Sequence, residues 1–253
     1  MPFPWQRSAL PVPVPSYEYP TAPDTAVNAL PDKVRPPEGK VSLGRMLEIH
    51  KALWLPVSLG CIAITGNGSM RAWLMAALFG GYGILWVLKS YTFFDRSFYN
   101  SPDYQFSRPG IIANFLLISI YFLYPIVAVL NTAPLAPPLM ALGVLLFLLG
   151  GFFHYAGDAQ KFYSLAFRPG VLVTEGLFRW VRHPSYLGEL AMWLGLTVIA
   201  GPTWWLAWAP VAFLLLATVI IGIPRKEASL RRYPGFEAWK QRTGCLLPRF
   251  PQA

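Results

Sequence analysis

The chain has 253 residues, of which 55% are apolar and only 13% are charged. Such an apolar composition is rare in a soluble domain of this length, so it excludes an ordinary soluble globular protein and indicates an integral membrane protein. The formal net charge of +9 comes from basic residues beside apolar segments, which predicts contact with a lipid bilayer and not with nucleic acid.

Residues 1–45 are predicted to form a proline-rich N-terminal extension. Prolines are dense in Leu10–Pro15 and in Arg35–Pro37, and the region has little apolar periodicity. Such a composition favours extended, unpacked conformations. The extension lacks the apolar region of a secretory signal peptide. We expect either a disordered tail or an arm that lies along a partner in a membrane complex.

Six apolar runs predict six membrane helices between residues 46 and 223. Several runs are long enough to cross roughly 30 Å of hydrocarbon as helices. The first and fifth runs are short, and only Gly201 and Pro202 separate the last two. The last two helices are therefore expected to form a tight hairpin, or a re-entrant pair that does not fully span. The runs lie at about 53–65, 72–88, 111–130, 139–157, 187–201 and 203–223.

The distribution of charge supports six crossings. All but one of the 21 Lys and Arg residues then lie on the same side of the membrane, and Arg71 lies on the other. By the positive-inside rule the basic side, with both termini, is cytosolic or faces the matrix or stroma of an organelle. The endoplasmic reticulum, the mitochondrial inner membrane and the bacterial inner membrane are all open alternatives. Orientation and contact with anionic lipid explain most of these cations, but not their clustering beside His183 and Glu189.

Three polar blocks on the basic side carry the predicted chemistry. The first block lies at the C-terminal end of the fourth apolar run and reads His154-Tyr-Ala-Gly-Asp-Ala-Gln-Lys161. If the helix continues, His154, Asp158 and Lys161 share one face, because they are four and three residues apart. With Gln160, they offer a carboxylate, an amide and an ammonium to a polar ligand. The alternative is a lysine that snorkels to the interface and pairs with the aspartate.

The second block opens the fifth run and extends from Gly176 to Glu189. Pro184 suits the first turn of a helix, so a helix is predicted to begin near His183. The free N–H groups and positive dipole end of that helix face a loop rich in cations, which is typical of an anion site, most naturally for phosphate. The alternative is an Arg–Glu clamp at the interface. The block offers Arg179, Arg182 and His183 for a phosphate, and Tyr186 and Glu189 for a ribose, an amide or a sulfonium.

The third block follows the sixth run. Pro224 is expected to end or kink the last helix, and a short amphipathic stretch with Leu230, Phe236 and Trp239 follows. The stretch either covers the site from above or lies on the lipid surface. The predicted fold is therefore all-α, a polytopic membrane bundle of about six helices with an amphipathic C-terminal segment, residues 224–253. The charged residues that can cover the site are Arg225, Glu227, Arg231 and Arg232.

In this order the three blocks resemble a known superfamily of integral-membrane enzymes. Asp158-Ala-Gln-Lys is followed by Gly176-Leu-Phe-Arg-x-x-Arg-His-Pro-Ser-Tyr-x-Gly-Glu189 and by Arg225-Lys-Glu-x-x-Leu-x-x-Tyr-Pro. The superfamily joins steroid 5-alpha-reductases, sterol reductases, isoprenylcysteine carboxyl methyltransferases and phospholipid N-methyltransferases. A steroid-reductase-like branch is most similar, since Gly81-Tyr-Gly-x-Leu-Trp-x-Leu-Lys89 and Phe94-Asp95 also have counterparts there. The resemblance covers about residues 75–250, and implies a helical bundle that binds a nucleotide cofactor at its cytosolic end and a lipid-like substrate from the bilayer.

Charge distinguishes the two cofactors that the resemblance implies. S-adenosylmethionine carries a cationic sulfonium, and the related methyltransferases place two consecutive glutamates where this chain has Lys226 and Glu227. NADPH carries a pyrophosphate and a 2′-phosphate, which favour Arg and Lys. The cations and the Tyr233-Pro234 pair therefore favour NADPH, with S-adenosylmethionine as the alternative. The cations available to the phosphates are Lys161, Arg179, Arg182, Arg225, Arg231 and Arg232.

Three functions are consistent with these residues. The leading hypothesis is an NADPH-dependent reductase of a conjugated C=C bond in a sterol, polyprenoid or other lipid. The second is methyl transfer to a lipid amine or a prenyl-cysteine carboxylate, with Glu189 and Glu227 near the sulfonium. The third is a former enzyme that serves as an accessory subunit of a membrane complex, tethered by the proline-rich arm.

A reductase also needs a proton donor near its substrate, and the second and third apolar runs contain no Asp or Glu. The hydroxyl candidates are Tyr82, Tyr121 and Tyr124, each of which is more often a packing residue, with bound water as the alternative. No metal is expected, because Cys61 and Cys245 are far apart in the sequence and the chain shows no paired metal ligands.

Overall fold

The computed structural model describes residues 32–249 of the chain. Most of the predicted proline-rich extension, residues 1–31, lies outside this range, as do residues 250–253. The predictions of a disordered tail or a partner-binding arm therefore concern residues that are outside the described part of the chain. Within that part the regular structure is almost entirely helical, as the sequence predicts.

The helices form a membrane bundle. In chain order the helices within residues 32–249 are α1 (Leu43–Thr65), α2 (Met70–Thr92), α3 (Arg96–Asn100), α4 (Arg108–Leu130), α5 (Pro137–Phe167), α6 (Pro184–Ala200), α7 (Trp205–Leu230) and α8 (Phe236–Arg242). Of these, α1, α2, α4, α5 and α7 are long and apolar enough to cross a membrane, which confirms a multi-pass all-α fold. α6 has 17 residues, about 25 Å of helix, and packs against α7 as the predicted hairpin.

Helices α1 and α5 extend furthest beyond the apolar runs that predicted them. α1 has 23 residues, so the prediction of a short first helix was wrong. Its first half carries His50 and Lys51, which are buried inside the bundle and which lower the apolar character of that half. α5 has 31 residues and continues past the predicted run to Phe167. The polar block at Asp158 is therefore part of a continuous helix.

The last membrane helix does not end at Pro224 but continues to Leu230. A π-helical segment, Ala217–Gly222, comes directly before the proline. The wider π turn alters the hydrogen-bond ladder at the point where the proline has no N–H to donate. The first charged residues after Pro224 therefore still lie on this helix.

Helices α5 and α6 form the most extensive helix pair in the described part of the chain. Gly143, Gly150 and Gly157 recur every seven residues on α5 and face α6. A side chain at Gly150 would collide with the backbone of Gly188 and Met192, so the two helix backbones are in contact. Small residues at such a seam allow close van der Waals packing between membrane helices. The seam fixes the first turn of α6 against the polar end of α5.

An aromatic core surrounds Trp193 of α6, which is buried. Its ring stacks on Tyr121 and Tyr124 of α4, with ring centroids 4.5 and 5.6 Å away. It meets Trp54 of α1 edge-on at 5.5 Å and Tyr82 of α2 at 5.8 Å. These contacts tie four helices together at the centre of the bundle.

Arg71, the cation predicted to be alone on its side, is buried where three interhelical loops meet. Its guanidinium donates hydrogen bonds to the carbonyl oxygens of Ile199, Ala200 and Ala133, at 2.6, 2.9 and 2.9 Å. Asn131 also donates to Ala200, at 2.9 Å. The loops that the sequence places on one side therefore lie together at one end of the bundle.

A short antiparallel strand pair, β1 (Lys40–Ser42) and β2 (Gln105–Ser107), joins the beginnings of α1 and α4. The strands are in register with Val41 opposite Phe106. Each strand ends in a serine whose hydroxyl oxygen caps the helix that follows. No strand was expected from the sequence at either position.

Candidate functional site

The three polar blocks meet around one cleft of about 220 Å³ at the end of the bundle opposite Arg71. Its walls come from the end of α5, the segment 171–178, the first turn of α6, the end of α7, and α8. Apolar side chains, among them Leu172, Phe178 and Trp239, complete the lining. The polar side chains that line the cleft are Ser97, Asp158, Lys161, Arg182, His183, Ser185, Tyr186, Lys226, Ser229, Arg232 and Tyr233.

Asp158 accepts hydrogen bonds from two neighbouring helices. Lys89 of α2 forms an ion pair with its Oδ2 atom, and the Ser185 hydroxyl of α6 donates to Oδ1 at 2.5 Å. His154, one turn earlier on α5, has its Nε2 atom 3.3 Å from the Lys89 ammonium. The carboxylate therefore links α2, α5 and α6, and a buried lysine balances its charge.

Asp95 lies between two lysines that line the cleft. The ammonium nitrogens of Lys161 and Lys226 are 3.5 and 3.8 Å from its Oδ2 atom, and Ser97 donates its N–H to Oδ1 at 2.9 Å. Burial by itself would raise the pKa of Asp95, but the two ammoniums outweigh it and hold that pKa well below its ordinary value. Two cations share this carboxylate, which leaves positive charge for an anionic ligand.

Arg182 is buried, and two of its three guanidinium nitrogens donate hydrogen bonds to groups of the protein. Nε donates to Oε1 of Glu227 at 2.8 Å, and one terminal nitrogen donates to the carbonyl oxygens of Lys240 and Thr243 at 3.1 and 2.6 Å. The Lys240 ammonium lies 2.8 Å from the other oxygen of Glu227. This geometry is that of the Arg–Glu clamp, the alternative to a phosphate contact. A phosphate role for Arg182 stays a prediction.

His183 directly precedes α6, where the sequence predicts the helix to begin. Its ring stacks on Tyr186 at 5.7 Å, and its Nε2 atom lies 3.7 Å from Oε1 of Glu227, too far for a hydrogen bond. Burial, and then the charge of Lys226, lower the pKa of His183 to about 4. The imidazole is therefore neutral at neutral pH and adds no positive charge to the cleft.

Gln160 positions the loop between α5 and α6. Its amide donates to the carbonyl oxygen of Glu175 at 2.6 Å and accepts the N–H of Leu177 at 3.1 Å. Gly176, between those two residues, has a φ of +57°, a left-handed conformation that favours glycine. A Cβ atom there would collide with the amide of Gln160. Both polar atoms of this amide are therefore engaged with the loop.

A second set of polar side chains, Lys51, Tyr82 and Glu189, joins α1, α2 and α6 inside the bundle. The Tyr82 hydroxyl donates to Oε1 of Glu189 at 3.2 Å. The Lys51 ammonium lies 4.2 to 4.4 Å from the ring centroids of Trp54, Tyr82 and Trp86. Cation–π contacts of this kind stabilise a desolvated ammonium. Tyr82 is thus a candidate proton donor whose hydroxyl binds a carboxylate.

The other two candidate tyrosines have packing roles. The Tyr124 hydroxyl lies 3.0 Å from both the carbonyl oxygen of Trp193 and the hydroxyl of Thr197. Tyr121 is buried with its ring stacked on Trp193. Neither arrangement requires a ligand.

Four predicted arginines lie on the surface of the protein. The guanidinium of Arg232 lies 2.9 Å from the Ser229 hydroxyl and faces the cleft. The other three do not line the cleft, so any contact with a ligand there requires their side chains to move. These are Arg179, Arg225 and Arg231.

Residues 55–243 match the model of a family described as "Protein of unknown function (DUF1295)". The chain belongs to this family. A curated relative, an uncharacterized protein of Schizosaccharomyces pombe, is 35% identical over 79 residues, which are 29% of this chain and 23% of the relative. The chain therefore covers less than a quarter of that relative's length. No solved structure matches the chain.

Several residues of these networks were not predicted as part of the site from the sequence. Two of them, Lys51 and Lys89, are lysines within apolar helices, which are costly there and mark functional sites by default. Lys89 and Asp95 also lie in the two short motifs that have counterparts in the steroid-reductase-like branch. Ser185 lies between Pro184 and Tyr186 of the second block, where its hydroxyl could have been counted as a polar group.

Proposed function

We propose that the protein is an NADPH-dependent reductase of a C=C bond in a sterol- or polyprenoid-like lipid of the bilayer. The observation that carries the proposal is the position of Lys161 and Lys226, which line the cleft and share the carboxylate of Asp95. Arg232 also lines the cleft and adds a further positive charge. The positive dipole end of α6 opens on the same cleft at Pro184. This donor set suits a cofactor with several phosphates better than a cationic sulfonium.

The carboxylates that a methyltransferase would direct at a sulfonium already have partners. Glu227 binds Arg182 and Lys240, and Glu189 accepts a hydrogen bond from Tyr82. S-adenosylmethionine-dependent methyl transfer is therefore the second candidate. An accessory subunit that retains the enzyme fold is the third.

Tyr82 is the proposed proton source, with bound water as the alternative. When bound, NADPH supplies a hydride to one carbon of the double bond, and a proton must reach the other carbon. The Lys51 ammonium, 4.4 Å from the ring centroid of Tyr82, would stabilise the phenolate that remains after transfer. Glu189 would orient the hydroxyl before transfer.

We also infer that the cleft faces the cytosol, or the matrix or stroma of an organelle, because the cationic loops gather at that end. A single cysteine placed in loop 131–138, in a Cys61→Ser background, tests this orientation in sealed vesicles. It should react with an impermeant reagent only from the face opposite Cys245. Reaction of both thiols from one face would overturn the arrangement.

Thermal stability of the full chain in detergent tests the cofactor. NADPH is expected to raise the Tm, and Lys226→Gln should weaken its binding about tenfold, because a charge-assisted contact is lost. The matched control Arg225→Gln removes an arginine that does not line the cleft, and should bind NADPH like the parent. Stabilisation by S-adenosylmethionine alone would overturn the reductase in favour of methyl transfer. Binding of neither, with stoichiometric co-purification of other proteins, would favour the accessory subunit.

A further inference from the structure

Three side chains with metal-binding atoms converge where the C-terminal segment meets α6. They are His183 before α6, Glu227 near the end of α7 and Cys245 after α8, and their ligand atoms all lie within 4.8 Å of one another. The three residues come from separate parts of the chain, so the cluster exists only in the folded protein.

The backbone holds this cluster in place. The N–H of His183 donates to the carbonyl oxygen of Cys245 at 3.2 Å, and the N–H of Arg182 donates to that of Gly244 at 2.8 Å. Gly244 in turn donates to the carbonyl oxygen of Trp180 at 3.0 Å. The segment that carries the thiol therefore runs beside the segment that carries the imidazole, as a parallel bridge.

One nitrogen atom of the cluster is buried and has no hydrogen-bond partner among the described residues. His183 is 6% exposed, and its Nε2 atom has no hydrogen-bond partner in residues 32–249. A buried polar atom without a partner is costly, and it calls for a ligand or an ion. Oε1 of Glu227 is 3.7 Å from this nitrogen, which is too far for a hydrogen bond.

We propose that His183, Glu227 and Cys245 bind a divalent zinc ion. Imidazole nitrogen, carboxylate oxygen and thiolate sulfur are the ligands that zinc takes in proteins. Such ligands lie roughly 3.3 to 3.6 Å apart around a tetrahedral ion, which is close to the 3.7 Å between the His183 and Glu227 atoms. Three protein ligands leave a fourth position for water.

Glu227 already binds Arg182 and Lys240, each at 2.8 Å. A carboxylate offers about four lone-pair positions, so it can keep both partners and still give one position to a metal. The ion would fasten the C-terminal segment, which forms one wall of the cleft, to the beginning of α6. The site is independent of the proposed reduction, since none of its three ligands takes part in hydride transfer. The Cys245 thiol releases its proton to water when it binds the ion.

Metal content tests the proposal directly. The full chain, purified in detergent without chelators and incubated with Zn²⁺, should retain one zinc per chain by inductively coupled plasma mass spectrometry. Exchange for Co²⁺ should produce a thiolate-to-cobalt charge-transfer band. Cys245→Ser should lose the band, and His183→Gln should lose bound zinc. A parent protein that retains no stoichiometric zinc would overturn the proposal.

The other cysteine supplies the matched control. Cys61→Ser leaves Cys245 as the sole thiol of the chain, so a charge-transfer band in this variant can come only from Cys245. We expect the band and the zinc content to be unchanged. This variant decides the question even if Cys245→Ser does not fold, because loss of the band in Cys61→Ser would show that Cys245 is not a ligand.

Discussion

The Nε atom of Arg182 lies 2.8 Å from Oε1 of Glu227 and connects the beginning of α6 to the end of α7. The two side chains are 9% and 12% exposed, so water screens their charges weakly. The same arginine binds the backbone after α8. The residue that the sequence offers to a phosphate therefore serves first to hold the C-terminal segment in position.

Arg182→Ala should destabilise the protein by roughly 3 kcal/mol, because removing one partner of a buried ion pair leaves the other charge buried. Lys240 still faces Glu227, which limits the loss. Chemical denaturation in detergent measures the free energy of unfolding. The control Arg225→Ala removes an exposed arginine and should change it by less than about 0.5 kcal/mol. Full stability of Arg182→Ala with loss of NADPH binding would instead support the phosphate role.

The pair formed by Lys89 and Asp158 should behave as one unit. Lys89→Met leaves the carboxylate of Asp158, which is 14% exposed, without its cation, and should cost roughly 3 kcal/mol of stability. Asp158→Asn leaves the buried ammonium without its anion, with a similar loss. The double variant should lose less than the sum of the single losses, by about 1 kcal/mol or more. Additive losses would show that the two residues are not coupled.

Stability should fall in acid because Asp95 must then take up a proton. Its pKa in the folded protein is held well below the value of about 3.9 that an unfolded chain shows. The stabilisation is therefore complete above that value and is lost as the pH falls towards the folded pKa. Between about pH 5 and pH 3, the Tm of the parent should drop more than that of Asp95→Asn, whose amide does not titrate. Equal drops in the two proteins would contradict the assignment.

Gly150→Ala should loosen the contact between α5 and α6, although alanine is the better helix former. Its Cβ would collide with the backbone of Gly188 and Met192, so we expect a loss of about 1 to 3 kcal/mol. Gly151→Ala is the matched control, because its Cβ would meet only the Met192 sulfur at 4.0 Å. That control should be neutral or stabilising by up to about 1 kcal/mol. Thermal unfolding that ranks the two variants in the opposite order would contradict the seam.

The sequence predicts the common face of His154, Asp158 and Lys161 because that face depends only on the local helical period. It does not predict that Lys89 binds Asp158, since the two residues are 69 positions apart and meet through helix packing. Arg182 shows the same limit. Its carboxylate partner lies 45 residues further along the chain, so the sequence alone cannot distinguish a clamp from an anion site.

Hydropathy finds the membrane helices wherever their apolar residues are continuous. It misplaces the beginning of α1 because buried polar residues such as His50 and Lys51 make a membrane helix look like a loop. The strand pair escapes prediction because three residues per strand are too few for an alternating pattern to be recognised.

The glycine seam also restricts the route that the lipid substrate of the proposed reductase could take into the bundle. Backbones that touch at Gly150 and Gly188 cannot part without giving up the contact along the helix face. α5 and α6 therefore form a closed wall towards the bilayer. In the proposed reductase, a lipid that reaches Tyr82 would therefore pass between other helices.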